Sequence, residues 1–251
     1  MSFAQNVLIF GATSAIAQAV ARRLQQQGCQ LYLVGRNPDK LQALLDDLRV
    51  RAGPGQAAAG MQADLDRVED HAALFDAAQA ALGGIDTVII AHGSLPDQAE
   101  CEASVPAMLA QIHTNGISAV ALAALAAQRL QAQGHGQIVA IGSVAGDRGR
   151  QSNYVYGAAK GMLALFLQGL RNRLAARGVH VLTVKPGFVD TPMTASFTRK
   201  GLLWASPDRV AADIVRAMRR RRDVLYTPWF WRWILLIIQH VPERVFKRMK
   251  L

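Results

Sequence analysis

The sequence predicts an α/β protein, a single doubly wound parallel sheet with an aromatic, basic and helical C-terminal tail. Two observations carry that class. Short, wholly apolar runs alternate along the chain with amphipathic stretches of helical period, the pattern of stacked βαβ units whose sheet is covered on both faces. No composition break, long linker or fixed-period repeat interrupts the chain before about residue 220. With 251 residues, 51% of them apolar and 18% charged, the chain has core enough for one large domain. It lacks the low hydrophobicity and high charge of a disordered polypeptide.

From the N-terminus, Val7–Phe10 reads as a strand buried on both faces and ended by Gly11. Ile16, Val20 and Leu24 give a helix that stops at Gly28. Gln30–Val34 is the second strand, and Pro38 opens a helix carrying Leu41, Leu44, Leu45 and Leu48. After the Gly53-Pro54-Gly55 loop come a weaker strand near residues 57–62 and a helix from about Val68 to Leu82. Asp86–Ala91 is the fourth strand and His92-Gly93 its turn; a long helix spans roughly residues 107–133, followed by a strand at Gln137–Gly142. Another helix runs from Tyr154 to about Ala176, and His180–Val184 closes the regular part as a strand. Residues 193–206, with Met193, Phe197 and Trp204, are read as a lid over the cleft. The expected domain covers residues 1–223; residues 224–251 form the tail, part of the same domain or a membrane-surface anchor.

The net charge of +10 is concentrated at one end: residues 216–251 hold ten of the 28 Lys and Arg against two acids, so the body is nearly neutral. A high isoelectric point here describes an appendage rather than a nucleic-acid-binding domain. Two cysteines, Cys29 and Cys101, are too few for a disulfide framework and sit at no zinc-ligand spacing. The N-terminus has no positive n-region or cleavage site, and no uninterrupted apolar run reaches the roughly 20 residues of a spanning helix, so the expectation is a cytosolic, folded chain.

Phe10-Gly-Ala-Thr-Ser-Ala-Ile-Ala17 lies between the first strand and its helix. Small residues there let the backbone approach a pyrophosphate, and the helix presents its unpaired N–H groups to it. Of three expected glycines only Gly11 remains, with Ala15 and Ala17 in the other places; small residues also serve close helix–strand packing. The end of the second strand reads Val34-Gly35-Arg36-Asn37, without the acid that holds the adenosine ribose in NAD-preferring chains. Arg36 can instead bind a 2′-phosphate with its forked donors; the alternative is a solvated surface arginine.

Ser143 follows the strand that ends at Ile141, and Tyr156 and Lys160 stand four residues apart on the next predicted helix. Positions i and i+4 share a face, so phenol and ammonium project into one cleft. The ammonium is expected to lower the tyrosine pKa, making a general acid/base, while the serine hydroxyl donates to a substrate carbonyl oxygen. Tyr154 lacks a lysine four residues on and is the weaker candidate.

These residues, Ser-x12-Tyr-x3-Lys within this strand–helix alternation, resemble the short-chain dehydrogenase/reductase family over about Val7 to Thr191. The resemblance implies a Rossmann fold and nicotinamide cofactor chemistry. By position it makes Tyr156 the proton donor or acceptor, has Lys160 hold the nicotinamide ribose, Ser143 orient the carbonyl or alcohol, and Asn115 hold a water linked to Lys160. It places the cofactor against Gly11, Thr13, Ser14, Ile16, Arg36, Asp64, Leu65, Ala91, Gly93, Tyr156, Lys160, Pro186, Gly187, Val189 and Thr191, with Asp64 at the adenine and Val189 and Thr191 at the carboxamide. The usual Asn-Asn-Ala-Gly after the fourth strand is here Ile90-Ala91-His92-Gly93, so other groups must satisfy the backbone there. His92 reads as a structural substitution rather than a proton carrier. His113, expected near a helix start, has no companion ligands, and no metal is required.

In the tail, Trp229-Phe-Trp-Arg-Trp-Ile-Leu-Leu-Ile-Ile238 is bounded by basic residues, and Thr227-Pro228 suggests a helix over Pro228–Val241. At 1.5 Å per residue that is about 21 Å, too short to cross a bilayer. An in-plane anchor in one leaflet and a segment packed over the cleft or between subunits are both consistent with it; the adjoining aliphatic run argues against stacking of nucleic-acid bases. The tail and Gly11–Ala17 resemble, more loosely, reductases similar to decaprenylphosphoryl-2-keto-ribose reductase. The expected activity is interconversion of a carbonyl and an alcohol with NADP(H) preferred and NAD(H) not excluded, on an apolar or lipid-linked substrate. A non-catalytic dinucleotide-binding scaffold or sensor is the alternative. Homodimers or homotetramers through the helices that include Tyr156, and a cytoplasmic location, peripheral on the inner face of the membrane, complete the expectation.

Overall fold

The computed structural model describes residues 5–53, 55–195, 197 and 201–249. Part of the lid expected over 193–206 (Ser196 and residues 198–200), the tip of the Gly53–Gly55 loop and the last two residues lie outside them.

Seven strands form one parallel sheet: β1 (Asn6–Phe10), β2 (Gln30–Gly35), β3 (Ala58–Gln62), β4 (Thr87–Ile90), β5 (Gly136–Ile141), β6 (Val179–Pro186) and, much later in the chain, β9 (Val224–Thr227). Their spatial order is β3-β2-β1-β4-β5-β6-β9. Between them run α1 (Ala15–Gln25), α2 (Pro38–Arg51), α3 (His71–Leu82), the short α4 (Gln98–Ala103), α5 (Val105–Ile112), α6 (Ser118–Gln133) and α7 (Tyr154–Leu174). After β6, the two-residue strands β7 (Phe188–Val189) and β8 (Trp204–Ala205) pair with each other; α8 (Pro207–Arg219) returns the chain to β9, and α9 (Trp231–His240) and α10 (Glu243–Phe246) follow.

The wholly apolar strands are explained by burial on both faces. Val7 and Ile9 of β1 and Leu31 and Leu33 of β2 point into a core with α1, α2 and α8. Leu8, Phe10, Tyr32 and Val34 point the opposite way, into a core with α3, α6 and α7. Strand order reverses between β1 and β4, so a crevice opens beyond their C-terminal ends, where α/β sheets bind ligands.

Four elements depart from the sequence reading. The helix expected over 107–133 starts at Val105 and is broken by a π-helical turn at His113–Ile117, which puts His113 in mid-helix. By length and composition Val105–Gln133 would suffice to cross a membrane, although Gln111, His113, Thr114 and Asn115 interrupt its apolar sequence. Its second half packs Leu122, Ala126 and Leu130 into the sheet core. Helix α8 and strand β9 lie beyond the point at which the regular part was expected to end. Val224–Thr227, counted with the tail in the sequence, pairs with Thr183–Pro186 of β6 as the seventh strand. The tail helix starts at Trp231 rather than Pro228: the N–H groups of Trp231, Arg232 and Trp233 donate to the carbonyls of Pro228, Trp229 and Phe230, a tighter turn ahead of the α-helix.

Candidate active site

The crevice is a cavity of about 840 Å³ built from the turns after β1, β2, β3, β4, β5 and β6. At one end Gly11 adopts φ 73°, a left-handed conformation, and a Cβ there would stand 2.4 Å from the His92 nitrogen. Glycine is demanded twice over, by the turn and by the neighbouring strand. Ser14 caps α1 by accepting from the Ala17 N–H at 3.3 Å, and the helix N-terminus faces the crevice, a ready anion site. Ala15 lines the cavity and Ala17 is fully buried, so close packing accounts for small residues at both places. Arg36, Asn37 and Lys40 border the cavity beyond β2. Lys40, a second cation beside Arg36, escaped the sequence reading; its place on the first turn of α2 was the available signal.

At the other end Ser143, Tyr156 and Lys160 share the cavity. Ser143 caps the turn after β5, its Oγ accepting from the Ala145 N–H at 3.1 Å, and its hydroxyl is a hydrogen-bond partner of the Tyr156 phenol. The Lys160 Nζ lies 5.7 Å from the centre of the Tyr156 ring, as the i,i+4 spacing requires. Burial pushes the phenol up to about 12, with the Ser143 bond pulling weakly the other way. Burial also brings Lys160 down to about 8. The expected lowering of the tyrosine by its lysine is therefore corrected: desolvation of the phenolate dominates.

Asn115 does not line the cavity. It is fully buried on the π-helical turn, where its Oδ1 accepts from the Ser94 N–H at 3.0 Å and its Nδ2 donates to the Gln111 carbonyl at 3.1 Å. A Cβ on Gly93 would meet both Asn115 Oδ1, at 2.7 Å, and Lys160 Nζ, at 3.2 Å, so the three groups stack closely.

His92 answers the missing asparagine. The Ser118 hydroxyl donates to the Leu65 carbonyl at 2.5 Å, so the His92 Nε2, 2.9 Å from the same oxygen atom of Ser118, is the donor of that pair. The chain of bonds ties the end of β4 to α6 and to the loop after β3. Burial, helped by Lys160, brings His92 down to about 3, so it is neutral at physiological pH. Asp64, Leu65, Ala91, Gly93, Pro186, Gly187, Val189 and Thr191 all line the cavity with Thr13 and Ile16.

The tail supplies a wall that was not foreseen residue by residue. Trp231 is 3% exposed, lines the cavity and stands edge-on to Phe188, ring centres 5.2 Å apart. A Cβ on Gly187 would fall 1.9 Å from the indole nitrogen, so this glycine is dictated by the tryptophan lying on it. Arg148 holds the tail down. Its guanidinium donates to the carbonyls of Ile238, Gln239 and Val241 at 2.5, 3.0 and 2.8 Å, pairs with Glu243 and stacks on Phe246 at 3.7 Å. Beneath it, buried Asp147 binds Lys185 and accepts from the Tyr226 hydroxyl at 2.8 Å, joining the Ser143 turn to β6 and β9.

A family model described as short chain dehydrogenase matches residues 5–201. An uncharacterized oxidoreductase of Mycobacterium tuberculosis is 36% identical over 246 residues, 98% of this chain and 97% of that one. Another, from Streptomyces coelicolor, is 34% identical over 98% of this chain and 96% of its own. Among solved structures, an actinorhodin polyketide ketoreductase with NADPH superposes with a TM-score of 0.80 at 24% identity, over 90% of this chain and 97% of that one. A short-chain type dehydrogenase/reductase from Mycobacterium ulcerans gives 0.79 at 23% identity, over 94% and 99%. At these identities the structural likeness speaks to the fold.

Proposed function

Because the chain belongs to the short-chain dehydrogenase/reductase family, an oxidoreductase family, we propose that it interconverts a carbonyl and an alcohol with NADP(H) as preferred cofactor. The observation that carries this reading is the meeting of Ser143, Tyr156 and Lys160 in one cavity whose far end is bordered by Gly11, Arg36 and Lys40. The residues fit a dinucleotide: the Gly11 turn has no room for a side chain, and the first turn of α1 offers its N–H groups to phosphate. Arg36 and Lys40 would take the 2′-phosphate, Asp64 and Leu65 the adenine side, and Val189 and Thr191 the carboxamide. When bound, the cofactor supplies or accepts the hydride.

The chain's own residues then handle the proton. Held well above neutrality, the Tyr156 phenol keeps its proton at pH 7, the state required of a general acid that donates to the carbonyl oxygen as the alcohol forms. The Ser143 hydroxyl donates to the same oxygen and positions it. Lys160, still largely an ammonium at neutral pH, stabilises the tyrosinate left behind. Asn115 acts by holding the turn against which Gly93 and Lys160 pack.

The substrate is proposed to be apolar or lipid-linked, as in the decaprenylphosphoryl-2-keto-ribose reductase-like branch. Phe188, Met193, Phe197 and Trp231 in the cavity wall support it. The tail would place the cavity at an anionic membrane surface, with the protein peripheral on its cytoplasmic side; exposed Trp229, Trp233 and Ile237 among Arg232, Arg244, Lys247 and Arg248 support this. Exposed Met162 and Leu165 on α7, with Val105 and Leu109 on α5, favour association of copies through the helices around Tyr156.

Calorimetry with NADPH and NADH in parallel tests the cofactor reading. Arg36→Ala is expected to weaken NADPH about tenfold or more, the worth of one charge-assisted phosphate contact, and to leave NADH unchanged. NADH binding as tight as NADPH in the wild type would overturn the preference.

A further inference from the structure

Arg150 lies between Ser143 and Tyr156 in the chain and lines the cavity that both share, yet the mechanism above gives it no part. Its Nε is buried without a hydrogen-bond partner. Among the described residues no carboxylate stands within ion-pair distance of it; Asp147, whose field it feels, is committed to Lys185 and Tyr226. Burial pushes the guanidinium's pKa down, so the charge is held partly out of water at a cost that structure alone does not repay.

A second orphan shares the cavity. The Trp231 indole N–H is buried and has no acceptor among the described residues. A tryptophan buried in a wall normally finds a partner for that group. Arg150 and Trp231 can only donate. Asn153 Oδ1, also buried and unpartnered, adds one acceptor in the same lining. A cation on the lining of a catalytic cavity with an apolar wall suits an oxygen-rich and negatively charged ligand.

We propose that the substrate carries a carboxylate or phosphate group that Arg150 holds as an ion pair. This rests on the carbonyl-reductase reading and narrows it: the substrate is an anionic amphiphile, with its apolar portion against Phe188, Phe197 and Trp231 and its charged group at Arg150.

The test is calorimetric binding of decanoate, decyl phosphate and 1-decanol to the NADPH complex of the full chain. At least one anion is expected to bind about tenfold or more tightly than the alcohol, and which one binds better separates carboxylate from phosphate. Arg150→Gln should erase that preference and Arg150→Lys should restore part of it. NADPH affinity within twofold of wild type shows that each variant is folded. Equal binding of anion and alcohol overturns the proposal. So does an anion preference that survives Arg150→Gln, the signature of adsorption to the basic tail. A wild type that fails to bind NADPH sinks the cofactor reading and this inference with it, and is a distinct result.

Discussion

Tyr156 and Lys160 are pushed in opposite directions by the same burial, the phenol up to about 12 and the ammonium down to about 8. For Lys160 the consequence reaches stability. The unfolded chain, with an ordinary lysine near 10.4, binds more protons than the folded one between about pH 8 and 10.4, so this group's contribution to stability rises with pH through that window. Below it the buried charge costs on the order of 2–3 kcal/mol. Lys160→Met is therefore expected to raise the thermal midpoint at pH 7 while abolishing turnover, and to gain much less above pH 10; thermal melts at both pH values check it. The spacing of Ser143, Tyr156 and Lys160 told which groups meet, because helix geometry is local. It could not tell how dry the meeting place is, since that depends on Gly93, Asn115 and other residues brought from far along the chain. Arg150 escaped for the same reason: an arginine in a loop is indistinguishable in sequence from a solvated one.

Among the elements, β1, β2 and β4 to β6 were legible because both-face burial writes itself as an apolar run; β3, at the sheet edge with residues 60–62 exposed, gives a weaker signal. Helix α8 was legible too, with Ser206 and Pro207 at its start and Val210, Ala211, Ile214 and Val215 on its buried face, but it falls after the recognised motif and was passed over. Strand β9 is four residues long with its first residue exposed, too short for its alternation to stand out. The sequence predicts the tail helix from Pro228 on the rule that proline suits a first helical turn, but residues 228–230 close a tighter turn of three-residue bonds and the α-helix winds from Trp231. What fixes the helix is Arg148, 90 residues away, bonded to three of its last carbonyls. Arg148→Ala should speed hydrogen exchange of residues 231–249 about tenfold or more while leaving β1 and β4 amides unchanged. Glu243→Gln, which removes only an exposed ion partner, should change little.

At the scale of the whole molecule the tail presents two different faces. One face, with Trp231 and Leu235, closes the cavity wall and is buried. The opposite face leaves Trp229, Trp233 and Ile237 in solvent at 67%, 55% and 69% exposure beside the basic residues. If that face meets lipid, the protein should cosediment with phosphatidylglycerol vesicles at low salt. Trp229→Ser with Trp233→Ser should weaken cosedimentation about fivefold or more, phosphatidylcholine should not replace the anionic lipid, and the fold should be untouched. Net charge alone could not show this two-sidedness, because it counts residues without saying which face they leave through.

The central claim is that this cavity turns over a carbonyl through Tyr156. The most direct measurement is carbonyl-dependent NADPH oxidation across a panel of ketones with apolar tails, wild type beside Tyr156→Phe. Turnover by the wild type, reduced roughly 100- to 10,000-fold in the variant with NADPH affinity retained, is the expected result. A wild type that binds NADPH but reduces none of the carbonyls would instead make the chain a dinucleotide-binding scaffold, and a fully active Tyr156→Phe would remove the tyrosine from the chemistry.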